Sequence, residues 1–163
     1  MGNFKKALVL TGFNKELEQF FPGITNRKLE DLLIINSYGA EISQGYSCIM
    51  RNIILAVYLE KIEEIYIIVD REDKAFSISE ERLITLLEKE GVNLEVIQTL
   101  NYIKAAGNDV IKWLTGSKNI EGIIQNNIDF INKHPMIPGS VSVHGYIVNT
   151  KTFDYQTCFN GGN

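Results

Sequence analysis

Short apolar runs separated by stretches of helical periodicity constrain this 163-residue chain more than any other feature. KALVL (6–10), DLLII (31–35), IYIIV (65–69) and LEVI (94–97) set Ile, Val and Leu on successive or near-successive positions. A strand with one wet face alternates apolar with polar residues, whereas a strand covered on both faces reads as a continuous apolar run. All four runs are therefore expected to be strands. Between them, Ile49, Ile53, Ile54, Val57 and Tyr58 recur at helical spacing within 47–60, and Ser43 with Gly45 precedes them as a start. SISEERLITLLEKEG (77–91) carries Ser77 or Ser79 as a cap, Glu80 and Glu81 in the first turn, and Gly91 past the last. Helices are also expected over 119–133 and 100–114.

Alternation of strand and helix implies a three-layer α/β fold, a mainly parallel sheet with helices on both faces. The tail departs from it. After Pro135 and Pro138, Val141, Val143, Gly145 and Ile147 alternate with other residues, and a turn leads to a short last strand. This adds an antiparallel C-terminal edge strand. Without a repeat or a linker-like shift in composition, residues 1–163 are expected to form a single domain.

The 45% apolar and 22% charged residues fit an ordinary globular protein. A net charge of -4, with Lys5-Lys6 as the densest basic run, excludes a nucleic-acid role, which needs clustered cations to neutralise phosphates. Cys48 and Cys158 lack metal-type spacing and suit a reducing compartment, so a cytoplasmic address is expected. The opening run ALVLTGF is short and interrupted, and no segment is long enough to span a membrane.

The chemistry of interest follows the IYIIV run, where Asp70, Arg71, Glu72, Asp73 and Lys74 cluster. Asp70 and Asp73 offer oxygens to a hard cation. Against this, acids at a strand end are commonly solvated loop residues, with Arg71 and Lys74 competing as their ion-pair partners, and this reading is preferred. Cys48 is expected to be a small core residue and Cys158 a surface thiol, while His134 and His144 read as structural because no nucleophile elbow accompanies them. Ser37, Gly39 and the 43–47 segment could offer donors to a small anion ahead of a helix.

The segments taken together resemble the β-class carbonic anhydrases, in their short bacterial form, from about Lys5 to Tyr155. INSYGAEIS (35–43) is similar to the family's Arg-Asn-Ala-Gly-Gly loop, RNIILAVYLEKIEEI (51–65) to the helix that follows, and HPMIP with VHGYIVNTKT to its closing segment and hairpin. The family binds zinc through a Cys-x-Asp-x-Arg segment after the first strand and a His-x-x-Cys segment after the third. The first falls here on Gly12, Asn14 and Glu16, and the second, counted without a gap, on Asp70 and Asp73; a one-residue shift would substitute Arg71 and Lys74. None of these is the family's residue. Phe13, Tyr38 and Lys74 are expected to crowd the same pocket.

The resemblance therefore implies a carbonic anhydrase-like protein lacking the zinc site, with no catalytic residue and no metal or other cofactor. Its expected role is binding, scaffolding or regulation, as a homodimer, with a small anion or another protein as partner. The alternative is a metal-dependent enzyme, a carbonic anhydrase with a rebuilt site or a hydrolase-like protein, using Glu16, Asp70 and Asp73.

Overall fold

The computed structural model describes residues 5–159; the four residues at each end that the one-domain expectation includes lie outside them. Strands β1 (Ala7–Thr11), β2 (Leu32–Asn36), β3 (Glu64–Asp70), β5 (Ser142–Asn149) and β6 (Asp154–Phe159) build one sheet in the order β2-β1-β3-β5-β6. The first four are parallel, with Thr11 beside Asn36 and Ile68, and Asp70 beside Val148. β6 is antiparallel to β5 and slips register at Gly145/Tyr146. The mainly parallel sheet with an antiparallel edge is as expected.

Every residue of β1 is buried, because successive side chains enter different cores. Leu8 and Leu10, with Ile65, Ile67 and Val69 of β3, pack under α2 (Cys48–Leu59) and α6 (Ile120–Asn132) through Met50, Ile53, Ile124, Ile128 and Ile131. Val9, Tyr66, Ile68 and Val148 face the other way, against Leu17, Phe20, Phe21 and Ile24. That second layer is a 3-10 turn over Lys15–Phe20 running into the short α1 (Phe21–Thr25), which the sequence reading did not anticipate. Gly145 lies directly under α6, where a Cβ would collide with Ile124.

α2 begins one residue after Ser47, whose side chain accepts a hydrogen bond from Met50 N at 3.3 Å. α3 (Glu80–Lys89) is capped by Ser79, which accepts from Arg82 N at 3.1 Å, and Gly91 follows it at φ 85°. Three expectations need correction here. LEVI is not a strand: it opens the helix α4 (Leu94–Tyr102), capped by Asn93, whose side chain accepts from Glu95 N at 3.0 Å. The 100–114 segment is not one helix, because α4 ends at Tyr102, β4 (Ala105–Asn108) runs outside the five-strand sheet, and α5 (Val110–Thr115) starts after Asp109. Lys104 at φ 54° and Gly107 at φ 78° break the helical path. Cys48 is also corrected, since it is exposed at the start of α2, whereas Cys158 is exposed as expected. Among the described residues no helix is long and apolar enough to cross a membrane.

Candidate functional site

In a parallel sheet of this order, the connections leaving β1 and β3 diverge, and the crevice beyond their carboxyl ends is where such folds hold ligands. Here the strand ends are laced together. Thr11 Oγ1 donates to Ile68 O at 2.8 Å, Asn36 Nδ2 donates to Gly12 O at 2.8 Å, and Ser37 N donates to Thr11 O at 2.9 Å.

Asp70, the last residue of β3, is 1% exposed. A carboxylate taken from water is tolerated only when its oxygens are hydrogen-bonded. Asn14 Nδ2 donates to Oδ2 at 3.3 Å, Glu72 N donates to Oδ1 at 3.0 Å, and Thr150 Oγ1 lies 3.2 and 3.3 Å from the two oxygens. Asn14 uses its own Oδ1 to accept from Glu16 N at 3.1 Å, capping the 3-10 turn behind it.

Asp73 is likewise held by the chain. Its Oδ1 accepts from Ala75 N at 2.9 Å and its Oδ2 from Gly39 N at 3.0 Å. Gly39 sits at φ 65°, and its N–H points at this internal carboxylate. A Cβ on Gly12 would lie 2.5 Å from Asp73 Oδ2, so side chains at 12 and 73 converge on one space.

The structure thus brings Gly12, Asn14, Gly39, Asp70 and Asp73 together. Ser37 stands beside them with its hydroxyl donating to Glu41 O at 2.9 Å, and Glu16 is exposed. The expectation that Asp70 is a solvated loop residue paired with Arg71 or Lys74 is overturned. Arg71 turns outward to Glu121, 3.7 Å away, and Lys74 makes no ion pair among the described residues. Sequence reasoning missed Thr150, which reaches Asp70 across 80 positions from the β5–β6 turn. Its only signal was its place in the closing hairpin.

Above these carboxylates opens a cavity of about 290 Å³ lined by Phe13, Asn14, Lys15, Tyr38, Glu72, Asp73 and Lys74. The Phe13 and Tyr38 rings meet at 4.8 Å across it. The flanking positions expected from the sequence, Phe13, Tyr38 and Lys74, all line this space, and Lys15 and Glu72 join them. Nearby, burial pushes the Glu41 carboxyl above its ordinary range, against the lowering effects of the Ser117 N–H, 3.2 Å away, and the Lys118 charge.

This donor set does not fit zinc, which takes thiolate, imidazole or carboxylate ligands in tetrahedral array; of Gly12, Asn14, Asp70 and Asp73, only the two aspartates carry such a group. Gly12 has no donor atom, Asn14 is neutral, and the oxygens of Asp70 and Asp73 are occupied by the chain's own N–H and O–H groups. Among the described residues no group of three or more His, Cys, Asp or Glu is arranged to hold a metal ion. His144 lies instead at the opposite end of the sheet, 3.5 Å from Glu64, and His134 is buried against Tyr46.

No family model matches the chain. Among curated proteins, the Bacillus subtilis (strain 168) protein named "Putative carbonic anhydrase-like protein YbcF" is 37% identical over 153 residues, which cover 90% of this chain and 83% of that one. Among solved structures, β-carbonic anhydrase isoform I from Trichomonas vaginalis superposes with a TM-score of 0.79 at 21% identity, over 99% of this chain and 89% of that one. A tetrameric β-carbonic anhydrase from Sordaria macrospora superposes with a TM-score of 0.60 at 13% identity, over 96% of this chain and 81% of that one. The fold is that of the β-carbonic anhydrases. By its likeness to the B. subtilis relative, this chain belongs to their family.

Proposed function

We propose that this protein is a zinc-free member of the family with a binding, scaffolding or regulatory role, and that it does not hydrate CO₂. One observation carries the reading: where the resemblance puts the zinc ligands, Gly12 offers nothing and both carboxylates are satisfied internally. Function resides in sites and not in folds, so family membership does not bring the family's reaction with it. The metal-dependent alternative gains no support from the geometry, since Glu16 is exposed while Asp70 is sealed below the cavity. A small anion would have to displace Asp73 to reach the Gly39 N–H; Lys15 and Lys74 at the cavity wall are the more accessible donors. The reading further takes the protein to be a cytoplasmic homodimer; its tetrameric structural neighbour supports self-association of this fold.

The test rebuilds the site. Gly12→Cys, Asn14→Asp, Asp70→His and Asp73→Cys, with Glu16→Arg, should confer one equivalent of zinc, because these backbone positions already converge. A control with the first segment restored but Arg71→His and Lys74→Cys should not, since Arg71 points away to Glu121. Zinc in the shifted variant alone would refute the placement, and zinc in neither would remove the geometric support. Stoichiometric zinc and CO₂ hydration by the unaltered protein would overturn the reading itself.

A further inference from the structure

Beside the site cavity, and sharing Tyr38 and Lys74 with it, runs a larger groove of about 600 Å³. It is lined by the segment leading into α3, by Arg82 and Leu86 of α3 and by Leu114 of α5. Ile78, Leu86 and Leu114 supply its apolar wall, while Arg82 and Lys74 supply positive charge. Arg82 and Leu86 stand four residues apart on α3 and so share a helix face. Leu86 is 44% exposed, Leu114 50% and Tyr38 64%. Single exposed apolar residues need no explanation, but these converge on one concavity.

The two cations are the informative part. Neither Lys74 nor Arg82 forms an ion pair among the described residues. A concave, mostly apolar cleft with a few convergent polar groups, within the roughly 300–1,000 Å³ range of ligand sites, is the form small-molecule pockets take. We propose that this groove binds an amphiphilic organic carboxylate. The headgroup lies between Lys74 and Arg82, and the hydrocarbon body lies along Ile78, Leu86 and Leu114. The inference rests on the binding role proposed above and names its ligand class.

Titration calorimetry with straight-chain carboxylates tests it. Octanoate should bind, octylammonium should not, and affinity should rise by up to about fourfold for each methylene added between hexanoate and decanoate. Combined Lys74→Glu and Arg82→Glu should weaken octanoate on the order of tenfold and admit octylammonium, since like charges are excluded. Leu114→Ser should flatten the chain-length dependence; circular dichroism checks that each variant remains folded. Equal binding of both amphiphiles, or octanoate binding untouched by the charge reversal, would overturn the proposal. So would an unaltered protein that ignores octanoate while Leu114→Asp splits an assembly, because a second copy of the chain would then fill the groove. Elemental analysis of the same samples separates the two readings. Zinc-loaded protein that binds octanoate sinks only the zinc-free role, whereas zinc-free protein that ignores octanoate sinks only this ligand.

Discussion

Gly12 and Asp73 compete for the same volume, and that makes the pair testable. Adding a methyl group at Gly12 pushes Asp73 Oδ2 off the Gly39 N–H, leaving one polar contact broken. Gly12→Ala is expected to lower stability by about 1–3 kcal/mol, the range for overpacking and for an unsatisfied donor. In an Asp73→Ala background the same change should be nearly neutral. Urea denaturation of the four proteins measures this coupling, and an equal penalty in both backgrounds would exclude it. Asp70→Ala should lose a similar amount, because Asn14, Thr150 and the Glu72 N–H all lose their acceptor. The charges of this cluster were plain in the sequence; the burial of Asp70 was not. A run such as Asp-Arg-Glu-Asp-Lys reads as solvated, and the side chains that make Asp70 an interior residue, Asn14 and Thr150, lie 56 and 80 positions away.

Among the elements, α6 is tied to the loop after β2 by Asn127, which is 0% exposed. Its Oδ1 accepts from Ile42 N at 2.9 Å and its Nδ2 donates to Ala40 O at 2.6 Å, holding Ala40 at φ 55°. Asn127→Leu leaves both backbone groups without partners and should cost about 2 kcal/mol or more in stability, read as a lower urea midpoint. At the far end of the sheet, Arg27 joins α1 to β3 through Glu64, and Tyr66 stacks on His144 at 4.8 Å. Burial raises the Glu64 carboxyl, but the hydrogen bond and charge of Arg27, helped by His144, outweigh it and hold Glu64 below its ordinary value. A depressed carboxyl stabilises the fold at neutral pH. That contribution fades as pH falls through about 4.3, the ordinary glutamate value, and is lost below the lower value it has in the fold. Arg27→Gln should therefore destabilise most at neutral pH, with a difference from the unaltered protein that narrows in acid. A constant difference would rule out this origin. The same scale shows where pattern reading failed. LEVI is rich in aliphatics and mimics a strand, yet Asn93 as cap and the Leu94, Ile97, Leu100 spacing fit the helix it forms. The Gly107, Asn108, Asp109 sequence likewise carried a break and a cap that the longer helical reading passed over.

For the whole molecule, three of the four apolar runs became the parallel strands β1, β2 and β3, because burial on both faces leaves a plain trace in a central strand such as β1; the fourth parallel strand, β5, came instead from the alternating tail. The 3-10 turn and α1 left no such trace; they are short and capped locally by Asn14. Light scattering should give twice the chain mass of 18.5 kDa, and a monomer at micromolar concentration would refute the homodimer. The position of β5 has a consequence for how the protein is made. It pairs with β3 from Glu64 to Asp70, yet it is synthesised some seventy residues later. At about 5–20 residues per second, the ribosome needs roughly 4–16 s to go from Asp70 to Asn149. Throughout that interval the Ile65–Val69 edge of the nascent chain has no neighbour on one side, and Asp70 lacks Thr150. An apolar open edge is a template for pairing with other chains. The centre of the sheet thus stays open until only the edge hairpin remains to be made, and a pause in translation ahead of Ser142 prolongs the exposure of the segment most in need of cover.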